Sequence, residues 1–171
     1  MGSTPSTKIP EYYGGDKLWI TPSDIVKGKK YVTNTERKLT ELGWDKARVI
    51  PANSVLITAI ASIGKNCIIR EDASCNQQII ALTPNNRYDV EFIYYTVCSL
   101  EDYLHSIAGK ATVEIVNKGQ LADVTIKVPN IKEQKQIATL LGTYDSLADS
   151  IQKSIDTLEK EKNSIMQKIF A

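Results

Sequence analysis

At 171 residues the chain has room for one domain with a real core, or a smaller domain with an appendage. It has none for a helicase motor, a polymerase or a type I methyltransferase. Its 21 Lys and Arg stand against 20 Asp and Glu, a net charge of +1, so a nucleic-acid surface has to come from local segregation of charge.

In chain order, Gly2 to Lys8 is polar loop, and Tyr12 to Asp16 carries turn chemistry. Leu18-Trp19-Ile20 is a short apolar run closed by Thr21-Pro22. Lys27 to Lys38 is polar and basic, with weak strand character at Tyr31-Val32-Thr33. Thr35 to Gly43 reads as a brief helix stopped by its glycine. Arg48 to Ile50, then Pro51, then Ser54 to Thr58 reads as strand, turn, strand. Asn66 to Arg70 and Gln78 to Thr83 are further strands, the second ending at Pro84. Phe92, Tyr95, Leu100, Leu104 and Ile107 keep helical spacing, which predicts one helix over Val90 to Ile107, ended by Gly109. Thr112 to Val116 and Val124 to Val128 are strand-like. Short strands with frequent turns predict an α+β fold on a mixed or antiparallel sheet for residues 1–129.

Residues 130–171 differ in kind. Asn130 and Glu133 make a capping-box-like start. Ile137, Tyr144, Ile151, Leu158 and Ile165 then recur every seven residues. Leu140 and Leu147 sit three after a member of that series, and Ile155 and Ile169 four after. From Ile137 to Ile169 the pattern covers about 50 Å of helix. No proline interrupts it, and Gly142 is its weak point, at about 1 kcal/mol relative to alanine. That exceeds the span of a domain of the size preceding it, for which a radius of gyration of about 13–15 Å is expected. The helix therefore projects, and its apolar seam needs a partner helix: a second copy or another protein.

Catalytic constellations are missing from the pattern. There is no phosphate loop, no G-x-G-x-x-G, no nucleophile elbow and no H-E-x-x-H. Cys67, Cys75 and Cys98 form no C-x-x-C pair and read as free thiols of a reducing compartment, the cytoplasm. With His105 as the sole histidine, a zinc site or a His-based triad is a poor reading. No stretch is apolar enough to span a bilayer, and no secretory signal pattern opens the chain. What remains is recognition chemistry. Lys27, Lys29, Lys30, Arg37 and Lys38 cluster, Lys65 and Arg70 flank a strand, and Lys110 and Lys118 bracket another. Such cations suit phosphates, and the amides of Asn76, Gln77 and Asn117 suit base edges. Solvated surface is the bland alternative for all of them.

The order of motifs resembles the specificity subunit family of type I restriction–modification systems. Thr4-Pro5-Ser6 through Tyr12-Tyr13-Gly14-Gly15 is similar to the family's G-x-T-P-S…Y-(W/Y)-G-G opening. Trp19 to Ile25 resembles its W-[IV]-x-x-x-D-[IL] block. Ile50-Pro51-Ala52-Asn53-Ser54-Val55-Leu56 with Ile63-Gly64-Lys65 resembles its I-P-x-G-[ST] stretch, and Asn76-Gln77-Gln78 its N-Q block. Val128-Pro129 with Glu133-Gln134 is similar to the P-x-P-P-x-x-E-Q approach to the spacer helix, and Leu158 to Phe170 to that helix's end. Two departures accompany the likeness. The family's earlier W-x-x-x-x-L block is absent, which implies an incomplete or rebuilt fold, or a truncated inactive fragment. The full subunit has two recognition domains and two spacer helices, whereas this chain has one of each.

The resemblance implies a recognition domain on double-stranded DNA and a half-subunit that pairs with itself. Such a homodimer would read a bipartite palindromic site. It further implies catalysis and S-adenosylmethionine on a separate modification subunit, with a restriction subunit joining indirectly, and no cofactor on this chain. The alternative is a scaffold whose helix binds another chain and whose domain never touches DNA.

Overall fold

The computed structural model describes residues 1–109 and 113–170. Two small sheets and a layer of helices make the globular part. The first sheet holds β1 (Tyr13–Ile20), β2 (Lys38–Leu39), β3 (Val49–Ile50) and β6 (Ala73–Cys75) in the order β2-β1-β6-β3. It is mixed: β1 runs parallel to β6, while β2 and β3 are antiparallel to their neighbours. The second sheet is antiparallel, with β4 (Ser54–Thr58) between β5 (Asn66–Ile69) and β7 (Ile79–Leu82).

β4 is buried along its whole length, and side-chain alternation explains why. Val55 and Ile57 enter one apolar cluster with Ile68, Phe92, Val97 and Leu104. Leu56 points the other way, into a second cluster with Leu18, Ile20, Ile50, Ile69 and Cys75. The three-stranded sheet is thus a partition with one core on each face. The first sheet covers one side, and α2 (Val90–Ser99) and α3 (Glu101–Ile107) cover the other.

The α+β class read from the sequence holds, with local differences. Of the Tyr12 to Asp16 stretch, Tyr12 ends a 3-10 turn and Tyr13 to Asp16 join the strand: Tyr13 and Lys17 both stand opposite Leu39 across a bulge in which Gly14 takes φ +89. The helix expected over Thr35–Gly43 is shorter and later, α1 (Glu41–Trp44). Lys38 and Leu39 are drawn into the ladder with β1, and the Thr40 hydroxyl caps the turn by accepting from the Gly43 amide at 3.2 Å. The single helix expected over Val90–Ile107 breaks at Leu100, whose ψ of 2 leaves the helical region. Val124 to Val128 joins no ladder. Of the Thr112–Val116 strand, residue 112 lies outside the described residues, and Ile115 makes isolated bridges to Ile60 and Gly109. A short helix, α4 (Lys118–Ala122), stands where none was expected, closed by a reciprocal Asn117–Gln120 capping box.

The last helix, α5 (Ile131–Phe170), has 40 residues, about 60 Å. Asn130 Oδ1 accepts from the amides of Lys132 and Glu133, both at 3.1 Å. The first half of α5 packs on α2 through Gln134 and Ala138, and from Thr143 to Phe170 every residue is exposed.

Candidate nucleic-acid interface

The cations singled out from the sequence divide between two sides of the molecule. On the side facing α2 and α5 they meet acids. Lys27 Nζ holds both carboxylate oxygens of Glu101, at 2.9 and 2.7 Å. Lys29 reaches Asp149 at 3.4 Å. Lys30 is only 13% exposed and lies 3.6 Å from Glu91 and 3.4 Å from Asp145, over the Tyr95 ring at 4.7 Å. Arg70 donates to Glu91 at 2.6 Å, to Tyr31 at 2.9 Å and to Asn53 at 3.0 Å. Burial pushes the Glu91 carboxyl up, but the Tyr31 hydroxyl, Lys30 and Arg70 together bring it below its ordinary value. Burial, then the hydrogen bond to Asp145, holds the Tyr95 hydroxyl protonated well above the usual tyrosine range. Lys65 lines a neighbouring cleft of about 310 Å³ with Lys27, Tyr95 and Cys98.

The second side surrounds the β6–β7 turn. Here Arg37, Asn76 and Gln78 line a cleft of about 410 Å³ with Trp19, Thr21 and Ser23. Asp24 shapes its wall: the carboxylate accepts from the Thr21 amide (2.8 Å), the Thr21 hydroxyl (2.7 Å) and the Glu36 amide (2.8 Å). Asn76 is tied into the turn through the Gln78 amide and side chain, both at 3.0 Å, and Gln77 accepts from the Thr4 hydroxyl. The chain's first residues run beside this turn, Gly2 and Ser3 donating to Ile79 and Cys75 carbonyls. Arg48 joins the same N-terminal segment, its amide donating to the Ser3 hydroxyl at 2.7 Å and its guanidinium to the Met1 carbonyl at 3.5 Å; burial first, then the charge of Arg48, lowers the pKa of the Met1 amine. Lys38 is half-buried on β2. The Asn117 side chain is spent on the α4 cap, and Lys110 lies outside the described residues.

Sequence reasoning missed Arg48, which it read only as the start of a strand, although Lys46 stands two residues before it. It also missed Glu91, Tyr95 and Asp145, which gather only in three dimensions.

The helical seam is the third feature. Ile137, Leu140, Tyr144, Leu147, Ile151, Ile155, Leu158, Ile165 and Ile169 are exposed by between 38% and 66%. The stripe that meets the domain is a different one: Gln134, Ala138, Gly142, Asp145 and Asp149. At about 100° per residue the two stripes stand roughly 140° apart on α5. The helix turns its polar and small residues to its own domain and its apolar seam to solvent.

Comparison with known proteins fits this architecture. The chain belongs to the type I restriction modification DNA specificity domain family, whose description matches residues 1–160. It is 35% identical over 164 residues to the type I restriction enzyme MjaIX specificity subunit of Methanocaldococcus jannaschii, covering 93% of this chain and 38% of that protein. It is 31% identical over 163 residues to the EcoR124I/EcoR124II specificity subunit of Escherichia coli, covering 90% and 40%. The fold resembles the HsdS subunit from Thermoanaerobacter tengcongensis (TM-score 0.64, 17% identity, 90% of this chain and 36% of that one). A chain solved in work on complex assembly and conformational transition of the type I R-M system superposes at TM-score 0.72 with 18% identity, covering 96% and 40%. This chain thus spans about two fifths of the length of the curated relatives it matches, 38% and 40%. Among the described residues no helix is long and apolar enough to cross a membrane.

Proposed function

We propose that this chain is a non-catalytic DNA-recognition module that reads one half of a bipartite site and pairs through α5 with a second copy. Residues 1–129 make the DNA contacts and 130–171 the pairing helix. The observation that carries the reading is the apolar seam of α5, facing away from its own domain in a member of a DNA specificity family. The recognition surface is assigned to the side around the β6–β7 turn. Arg37, which lines the cleft with Asn76, and Arg48, bonded to the N-terminal segment beside it, contact phosphates there, Lys38 and Lys118 add to the phosphate contacts, and Asn76 and Gln77 offer polar edges to bases. Lys110 extends the phosphate-binding set, whereas Lys65 lies with Lys27 and Tyr95 on the other side. Methyl transfer with S-adenosylmethionine belongs to a modification subunit, cleavage to a restriction subunit, and the setting is the cytoplasm.

The test is a methylome. The chain is co-expressed with the modification subunit from its genomic neighbourhood, and the DNA is sequenced for modified bases. A new bipartite palindromic motif, lost when the chain is omitted, is the expected result. An asymmetric motif overturns the symmetric pairing. No motif from a complex that forms on a sizing column overturns the recognition role in favour of a scaffold.

A further inference from the structure

We propose that Gln134 and the Lys30–Tyr95–Asp145 cluster are positioning residues: a two-point grip that fixes the angle of α5 to the recognition domain. For its consequence on DNA this inference rests on the function proposed above. The inner point is Gln134, 1% exposed. Its Oε1 accepts from the Asp89 amide at 2.8 Å, and its Nε2 donates to the carbonyls of Arg87 (3.2 Å) and Pro129 (2.9 Å). One amide therefore ties the start of α5 to the start of α2 and to the connecting segment, with Asp89 also the N-cap of α2. The outer point lies along the same helical stripe. Tyr95 donates to Asp145 at 2.5 Å, Lys30 stands 3.4 Å from that carboxylate, and Lys29 stands 3.4 Å from Asp149. Gly142 leaves bare backbone beneath this cluster: a Cβ there would stand 3.4 Å from Lys30 Nζ and 3.6 Å from the Tyr95 oxygen. A Cβ there already reaches van der Waals contact, so a bulky branched side chain crowds the lysine and the tyrosine.

The grip has leverage. Gln134 and the two aspartates are about 16–22 Å apart along the axis, and the tip of α5 is about 54 Å from Gln134. A slip of 1 Å at the outer point then moves the tip by about 2.5–3.3 Å, close to the 3.4 Å rise of one base pair. A helix held at one point only would not measure DNA to a base pair.

Pulsed electron–electron resonance on the full chain reads the angle directly. Nitroxides are placed at Lys8→Cys and Asn163→Cys in a Cys98→Ser background, diluted with unlabelled protein so that only distances within one chain are seen. The parent should give one narrow distance distribution. Asp145→Ala/Asp149→Ala, and separately Gly142→Leu, should broaden or displace it by several ångströms. The second variant raises helix propensity, so its effect is not loss of helix. High salt should loosen the parent toward the double-alanine variant. Unchanged distributions in both variants overturn the proposal. In selection from DNA with randomised gap length, the double variant should keep the half-site bases and accept gaps one base pair longer and shorter. Altered half-site bases overturn it, because the cluster would then be reading DNA. A chain that binds no DNA overturns the proposed function, and the distances still decide the grip.

Discussion

Replacing Ile151 and Leu158 by aspartate should split the paired form of this chain. The two side chains are 52% and 64% exposed in the single chain, so half or more of each remains to be covered. Full burial of a leucine or isoleucine is worth about 1.5–3 kcal/mol, which leaves about 1–1.5 kcal/mol per side chain for pairing. In a two-fold dimer each change counts twice, so four side chains supply about 4–6 kcal/mol. That is roughly three to four decades in Kd, before the cost of placing carboxylates in an apolar seam. Sedimentation velocity across a concentration series measures it, with Lys153→Glu as a control on the far side of the helix. The parent and control should dimerise at micromolar concentration, and the double aspartate should stay monomeric there. A monomeric parent, or a double variant that sediments like it, would refute the argument that the seam is a pairing surface.

Gln134→Leu should lower the melting temperature, because the Asp89 amide and the Arg87 and Pro129 carbonyls lose their partner at a cost of about 1–3 kcal/mol. Glu91 gives a pH dependence of definite sign. Its pKa is lowered in the fold, so its contribution is present above 4.5 and is lost as pH falls through the folded value below that; Glu91→Gln should flatten melting temperature against pH in that acid range. Cys67 and Cys75 are buried with thiols pushed up to about 12, whereas Cys98 is exposed, so a thiol reagent should label one cysteine in the native chain and three in denaturant. If Arg37 and Lys118 contact phosphate, each alanine variant should reduce the slope of log affinity against log salt by about 0.9, while Lys27→Ala should leave it unchanged.

The sequence made some of this legible because the signals were periodic. Strands β4, β5 and β7 follow from Val55-Leu56-Ile57, Cys67-Ile68-Ile69 and Ile79-Ile80, apolar runs bounded by turn residues. The seam of α5 follows from sevenfold spacing. Strand β6 escaped because Ala73-Ser74-Cys75 has little apolar bulk, and its pairing with β1 is long-range. The split at Leu100 escaped because both halves keep one helical rhythm. The cation cluster was the least readable element. Lys27, Lys29 and Lys30 are neighbours in sequence, yet Arg70 and the partners Glu91, Glu101, Asp145 and Asp149 arrive from far along the chain. Basic composition names a charge, and only the fold says which carboxylate it meets.

The partners of Gln134 are two carbonyls and an amide, all main-chain groups that every residue type supplies save the amide, which proline lacks. The joint therefore places no demand on the side chains of Arg87 or Asp89 as hydrogen-bonding partners of the glutamine. At the inner point the side chains beside the start of α2 can change without refitting the glutamine, whereas the outer point depends on the side chains of Lys30, Tyr95 and Asp145 themselves. The attachment of α5 is thus half indifferent to side chains and half dependent on them, a pivot that tolerates substitution beside a strut that does not.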